Sequence, residues 1–158
     1  MILNNGMVRL IKYKIELKRR YIMREIEFRG VDVYDGLWYY GGFVKSSDGT
    51  YYILEDKKIS EYHKVIPESI GQFTGLTDSL GRKIFEGAIL KITNPEWGDD
   101  VIEYVEVKYG LDSDYPAFDI PYSIESDECN GLSQALNDGS KVVVADNIFD
   151  NPDKKFEE

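Results

Sequence analysis

The sequence predicts a mainly β protein, and three observations carry that prediction. Strand-forming aromatics are abundant, with 12 tyrosines, seven phenylalanines and two tryptophans in 158 residues. Arg24 to Gly30 and Val101 to Gly110 alternate apolar and polar residues with the period of a half-buried strand. Turn pairs of the hairpin kind, Asp35-Gly36 and Asp48-Gly49, separate aromatic and β-branched runs. The expected organisation is a β-rich subdomain over 23–64, then a small SH3-like barrel or twisted antiparallel sheet over 65–152 with one short helix. A basic extension, 1–22, precedes them and a charged tail, 153–158, follows.

Residues 1–22 differ in composition from the rest. Arg9, Lys12, Lys14, Lys18, Arg19 and Arg20 stand against Glu16 alone, a net +5, so the overall −10 leaves −15 on the remainder. Three readings fit this arm. It is a basic amphipathic segment for a membrane surface or an acidic partner, or an element that docks on the acidic body, or the product of a mis-called start with Met23 as the initiator.

In REIEFRG, Ile26 and Phe28 share one face of a strand, and Glu25, Glu27 and Arg29 share the other. Leu37 to Lys45 and Thr50 to Glu55 form a hairpin about Ser46 to Gly49, with Tyr39, Tyr40, Tyr51 and Tyr52 packing across strands and their phenols at the surface. Asp56 to Lys64 reads as loop or edge, and His63, the one histidine, as a surface residue. Val65 to Leu90 carries Gly71, Gly75, Gly81 and Gly87 among apolar residues. Gly71 and Gly75 there suit tight turns around Gln72-Phe73-Thr74, and Gly87 marks a bend before Ala88, Leu90 and Ile92 share a face. The whole stretch reads as the hinge between two β units. Asn94-Pro95 and Gly98-Asp99-Asp100 make a loop. The strand at 101–110 breaks its alternation near Glu103 and Tyr104, where a bulge is expected. Ala117 to Ile124 is a short strand, Asn130 to Asn137 the helix, and Lys141 to Ala145 a buried strand.

Composition narrows the function. From Ile92 to Asp150 only Lys108 and Lys141 face 14 acidic residues. Such a body repels phosphate backbones and attracts basic proteins, so nucleic-acid contact is expected at most through residues 1–22. Cys129 is single, so no disulfide forms within the chain. With no apolar run long enough to span a bilayer and no signal peptide, a cytoplasmic, non-membrane protein is expected. Asp112, Asp114 and Asp119 lack the glycine and glutamate of a calcium loop. No phosphate cradle or nucleophile elbow occurs. No catalytic residue, metal or cofactor is therefore expected. The alternative is an acid–base pair of Glu68 and Glu86. Glu68, directly after Pro67, is better read as opening a turn whose backbone donors a carboxylate suits.

Four blocks resemble the YopX-like family of phage and prophage proteins. They are Met23 to Gly30, the aromatic run Leu37 to Tyr40, the stretch Val65 to Leu90, and Asn147 to Pro152. The third holds the signature, in Ile66-Pro67-Glu68, in Gly71, Gln72, Phe73, Thr74, Gly75, Leu76 and Asp78, and in Gly81, Ile84, Phe85, Glu86 and Gly87. The fourth resembles the family's closing motif through Asn147, Asn151 and Pro152. Ala88 departs from the pattern, which has aspartate there. The resemblance implies a mainly β phage accessory protein of a bacterial host, and brings no established activity. The expected role is non-enzymatic: an acidic interaction protein for a host or phage protein, with a homo-oligomer formed through edge strands. The alternative is a small-ligand binder or carboxylate-dependent enzyme with a cleft between the two β subdomains.

Overall fold

The computed structural model describes residues 24–55, 61–98, 101–111, 116–121 and 130–151. The basic arm, the Asp112 and Asp114 positions, Cys129, Pro152 and the charged tail lie outside them. The protein is mainly β, built from antiparallel sheets. The first sheet has the order β4-β3-β2-β1-β5-β6. Its strands in chain order are β1 (Phe28–Val31), β2 (Trp38–Lys45), β3 (Tyr51–Leu54), β4 (Tyr62–Lys64), β5 (Gly71–Thr77) and β6 (Lys83–Phe85). The second has the order β11-β7-β8, from β7 (Ala88–Thr93), β8 (Glu103–Glu106) and β11 (Lys141–Asn147). A small ribbon pairs β9 (Lys108–Tyr109) with β10 (Phe118–Asp119), and the helix α1 spans Gly131–Ala135.

These sheets are open. The expected SH3-like closure does not occur among the described residues; the alternative expectation, an antiparallel sheet with one short helix, describes the second half. The first sheet also runs past residue 64. Strand β1 pairs with β2 on one side and with β5 on the other, through Phe28↔Gln72 and Arg29↔Gly71. The chain changes sheet at Glu86-Gly87, well inside the signature.

The local signals mostly hold. The β1–β2 turn is closed by Asp32, whose Oδ1 accepts the Tyr34 and Asp35 amides. The predicted tyrosine packing is present: Tyr40 meets Phe85, Tyr51 stacks on Phe43, and Tyr52 meets Tyr62. Glu68 lies in a 3-10 turn, Pro67–Ser69. Asn130 caps α1 by accepting the Ser133 amide, and buried Asp119 accepts the Leu132 amide.

Four local expectations are corrected. Ile26 is exposed, since it precedes β1, and Arg29 is buried because the Trp38 and Phe85 rings cover it. Gln72-Phe73-Thr74 lie within β5 rather than in a turn; the irregularity comes after Phe73, where the β5–β6 register shifts and Gly75 has positive φ. The break in the 101–110 strand falls at Val107, not near Glu103. Val107 is fully buried; its amide keeps the β7–β8 register by donating to the Ala88 carbonyl, while its carbonyl accepts the Gly87 amide instead of that of Ala88. His63 is half-buried rather than free at the surface: its ring stacks on Tyr39 at 3.4 Å, and Nδ1 lies 3.4 Å from Asp32 Oδ2.

The main core lies under the second sheet. Ala88, Leu90 and Ile92 share the predicted inward face and pack with Ile84, Val105, Val107, Leu132 and Val142. Ile84 belongs to the first sheet, so this core fastens the two sheets together. Burial of this kind contributes roughly 1.5–3 kcal/mol per large aliphatic side chain.

Candidate functional site

The crossover Glu86-Gly87 is the point from which the site is built. Gly87 has φ +72°, a conformation that L side chains avoid. Its amide donates to the Val107 carbonyl and its own carbonyl accepts the Ile148 amide. Both bonds reach the second sheet. Glu86 faces back to the first sheet: its amide donates to the Gln72 carbonyl, and its carbonyl accepts Arg29 Nη2 at 3.2 Å. Gly71 permits that approach, since a Cβ there would lie 2.4 Å from the Glu86 oxygen.

Arg29 is held by aromatic faces. Its guanidinium carbon lies 4.7 Å from the Trp38 ring centre and 5.2 Å from that of Phe85, a cation–π clamp. Burial pulls its pKa down, while Tyr40 and Asp150 pull it up. Trp38 in turn donates from Nε1 to Asp150 Oδ2, which also accepts Asn147 Nδ2. Arg29 Nε is buried without a hydrogen-bond partner.

Two concavities open on either side of the crossover. The smaller, about 190 Å³, is lined by Arg29, Trp38, Glu68, Glu86, Asn147 and Phe149, among others. The larger, about 490 Å³, is lined by Arg24, Thr74, Leu76, Glu86, Tyr109 and Phe118, among others. Glu86 lines both. Burial raises its carboxyl pKa and Glu106 adds to the rise; backbone donors at Gln72 and Tyr109 act against it.

Other signature residues hold the backbone. Thr74 Oγ1 donates to the Ile84 carbonyl and accepts the Leu76 amide. The Asp78 carboxylate accepts the Leu80, Arg82 and Val144 amides and the Arg82 guanidinium. Burial opposes its ionisation, but these donors outweigh burial and hold its pKa below the usual carboxylate value. Asn151 Nδ2 donates to both Asp146 oxygens at 2.8 Å. Phe73 packs against Phe85 with the rings tilted at 45°, and both are buried. Gly81 closes the 78–82 turn, its amide donating to the Asp78 carbonyl.

The structure therefore brings Glu68 and Glu86 to one cavity, joined there by residues from all four of the blocks singled out in the sequence. It leaves His63 elsewhere, on β4. Sequence reasoning missed Arg24, Arg29, Tyr109 and Phe118 as cavity residues. For the two arginines the available signal was their place in the first block; Tyr109 and Phe118 carried none. Ala88 is fully buried in the core, so the exception to the family pattern sits where packing decides the residue. Among the described residues, no group of three or more His, Cys, Asp or Glu is placed to hold a metal ion, and no helix is long and apolar enough to cross a membrane.

Comparison with known proteins gives two findings. The family model described as "YopX protein" matches residues 27–154. Among solved structures, the chain is similar to the crystal structure of protein EF1440 from Enterococcus faecalis. The TM-score is 0.49 at 21% sequence identity, covering 82% of this chain and 96% of that one. No curated protein matches.

Proposed function

The chain belongs to the YopX protein family, and from that membership we propose that it is a phage or prophage accessory protein, working in the cytoplasm of a bacterial host by binding another protein rather than by catalysis. The observation that supports this reading most is where the signature's polar groups are used. Thr74 and Asp78 are spent on the protein's own backbone, and a catalytic group needs an unspent acceptor or donor facing a substrate. The charge distribution supports the kind of partner. A body of −15 beyond the arm suits a basic protein, in the sharper form by occupying a surface that otherwise holds nucleic acid.

Affinity capture from host lysate over a series of salt concentrations tests this. The expected partners are basic or nucleic-acid-handling proteins that elute as salt screens the attraction. Partners that are not basic, held with no dependence on salt, would overturn the reading.

A second reading is a small-ligand binder, or a carboxylate-dependent enzyme, working in the cleft between the sheets. One observation favours it: Glu86, a half-buried carboxyl with a raised pKa, lines both cavities, the kind of group that marks a ligand site. Fragment screening by NMR, with the Tyr109 and Phe118 resonances as reporters, is expected to give hits confined to those residues. A screen without hits there removes this reading.

A further inference from the structure

The larger cavity holds two opposite charges that do not neutralise each other. On one wall, Arg24 Nη2 donates to the Thr74 carbonyl at 3.1 Å and, at 3.5 Å, to that of Phe73. The guanidinium carbon sits 5.8 Å from the Phe118 ring centre. A guanidinium has five N–H donors in a fixed fork, and the hydrogen bonds of Arg24 to described residues use Nη2 alone, so the fork has further N–H groups to offer an acceptor. Glu86 lines the same cavity, with Gln72 and Tyr109 beside it, and backbone donors at those two residues favour its ionised carboxyl against the opposing effect of burial. A carboxylate has about four acceptor positions, so two amide donors leave capacity for a third. Arg24 and Glu86 make no ion pair with each other. Leu76, Pro116, Ala117, Tyr109 and Phe118 supply apolar and aromatic wall between them.

The ligand chemistry follows by elimination. A simple amine would satisfy Glu86 and meet the Arg24 charge. A simple carboxylate would do the reverse. A phosphate-bearing ligand would be opposed by the −15 body as well. A molecule carrying both charges at once satisfies both walls, and about 490 Å³ is within the usual range for small-molecule sites.

We propose that this cavity binds a small zwitterion of the α-amino acid class, with its ammonium on the Glu86 carboxylate, its carboxylate on the Arg24 guanidinium, and an apolar side chain against Leu76, Tyr109 and Phe118. The proposal rests on the second reading above, that the cleft takes a small ligand. It goes beyond that reading in naming the ligand's two charges and the residue that meets each. The charge-assisted contacts set orientation, and the apolar wall sets side-chain preference.

The test uses the full chain in an NMR titration, read at Tyr109 and Phe118, with free leucine, phenylalanine and methionine. Leucinamide, which lacks the carboxylate, and N-acetyl-leucine, which lacks the ammonium, are titrated beside them. The free amino acids are expected to bind, and each blocked analogue to bind at least about tenfold more weakly, the loss of one charge-assisted contact. Glu86→Gln is expected to weaken free leucine and leave N-acetyl-leucine unchanged. Arg24→Gln is expected to weaken free leucine and leave leucinamide unchanged. Unchanged amide spectra away from the cavity show that the variants are folded. Equal binding of free and blocked forms overturns the proposal. So does an absence of binding by all three free amino acids. In that last case a mixture of neutral fragments separates the two levels. Fragments that shift Tyr109 and Phe118 leave the cleft reading standing and remove only the zwitterion, whereas no shift at all removes both.

Discussion

At the scale of single residues, Asp78 and Glu86 are two carboxyls of one motif whose environments act on them in opposite directions. Asp78 has a fully buried side chain and gains three backbone donors and Arg82. Its pKa in the folded protein lies below the unfolded value of about 3.9. Its contribution is therefore present above that pH and is lost as pH falls through the folded pKa. Asp78→Asn is expected to cost on the order of 3 kcal/mol at pH 7, measured by urea unfolding. The gap between the variant and the parent should narrow as pH drops below about 4; a gap constant from pH 7 to pH 3 would rule out this linkage. Glu86 runs the other way. Burial raises its folded pKa, so ionising it in the folded state costs stability that protonation restores. Glu86→Gln is expected to match the parent at pH 4 and to become relatively more stable as pH rises towards 7. The same unfolding series reads this out, and a variant that weakens with rising pH contradicts it. Gly71 gives a steric counterpart. A methyl group there meets the Glu86 carbonyl at 2.4 Å, and Gly71→Ala is expected to destabilise by about 1–3 kcal/mol. An unchanged unfolding midpoint would mean that the crossover can shift to accept it.

At the scale of elements, the turn after β5 covers a sheet edge. Strand β11 is the outer strand of its sheet, and an outer strand presents unpaired backbone groups. Here the Val142 amide donates to Ser79 Oγ, the Val144 amide to Asp78 Oδ2, and the Val142 carbonyl accepts the Ser79 amide. Two side chains of the first half thus complete the edge of the second sheet. Ser79→Ala is expected to speed hydrogen exchange at the Val142 amide. The Val143 amide, which alternation turns towards β7, should keep its protection. Equal acceleration at both positions would point to opening of the whole strand instead. Strand identity was legible wherever the period of two or a turn pair was clear, as in the 38–54 hairpin. It failed at β1 because a charged side chain was assigned to solvent, whereas Trp38 and Phe85 give Arg29 a covered place. It also failed at Val107, since an apolar residue inside a strand pattern does not announce that its carbonyl takes the Gly87 amide one place off the ladder.

At the scale of the whole molecule, the sheet change at Glu86-Gly87 and the charge asymmetry were not equally legible. Charge is additive along the chain, so the acidic body could be counted from the sequence. Sheet membership depends on pairing between distant strands, such as β1 with β5, and no local pattern reports it. The cavities share that difficulty, since Arg24 and Phe118 come together only through the fold. What the sequence did carry was the set of four blocks, and the smaller cavity is where their residues meet. The count of charge yields a prediction of its own. If the acidic body takes a basic protein, then residues 23–158, carrying −15, should repel a polyanion at any ionic strength low enough to leave charges unscreened, where the Debye length is about 30 Å. In a gel-shift series at about 0.01 M salt, this truncated chain is expected to leave duplex DNA unshifted. Any shift by the full chain should then depend wholly on residues 1–22 and vanish as salt rises. A salt-sensitive shift by the truncated chain would place a basic contact surface on the body itself, and would remove the reason for expecting a basic partner.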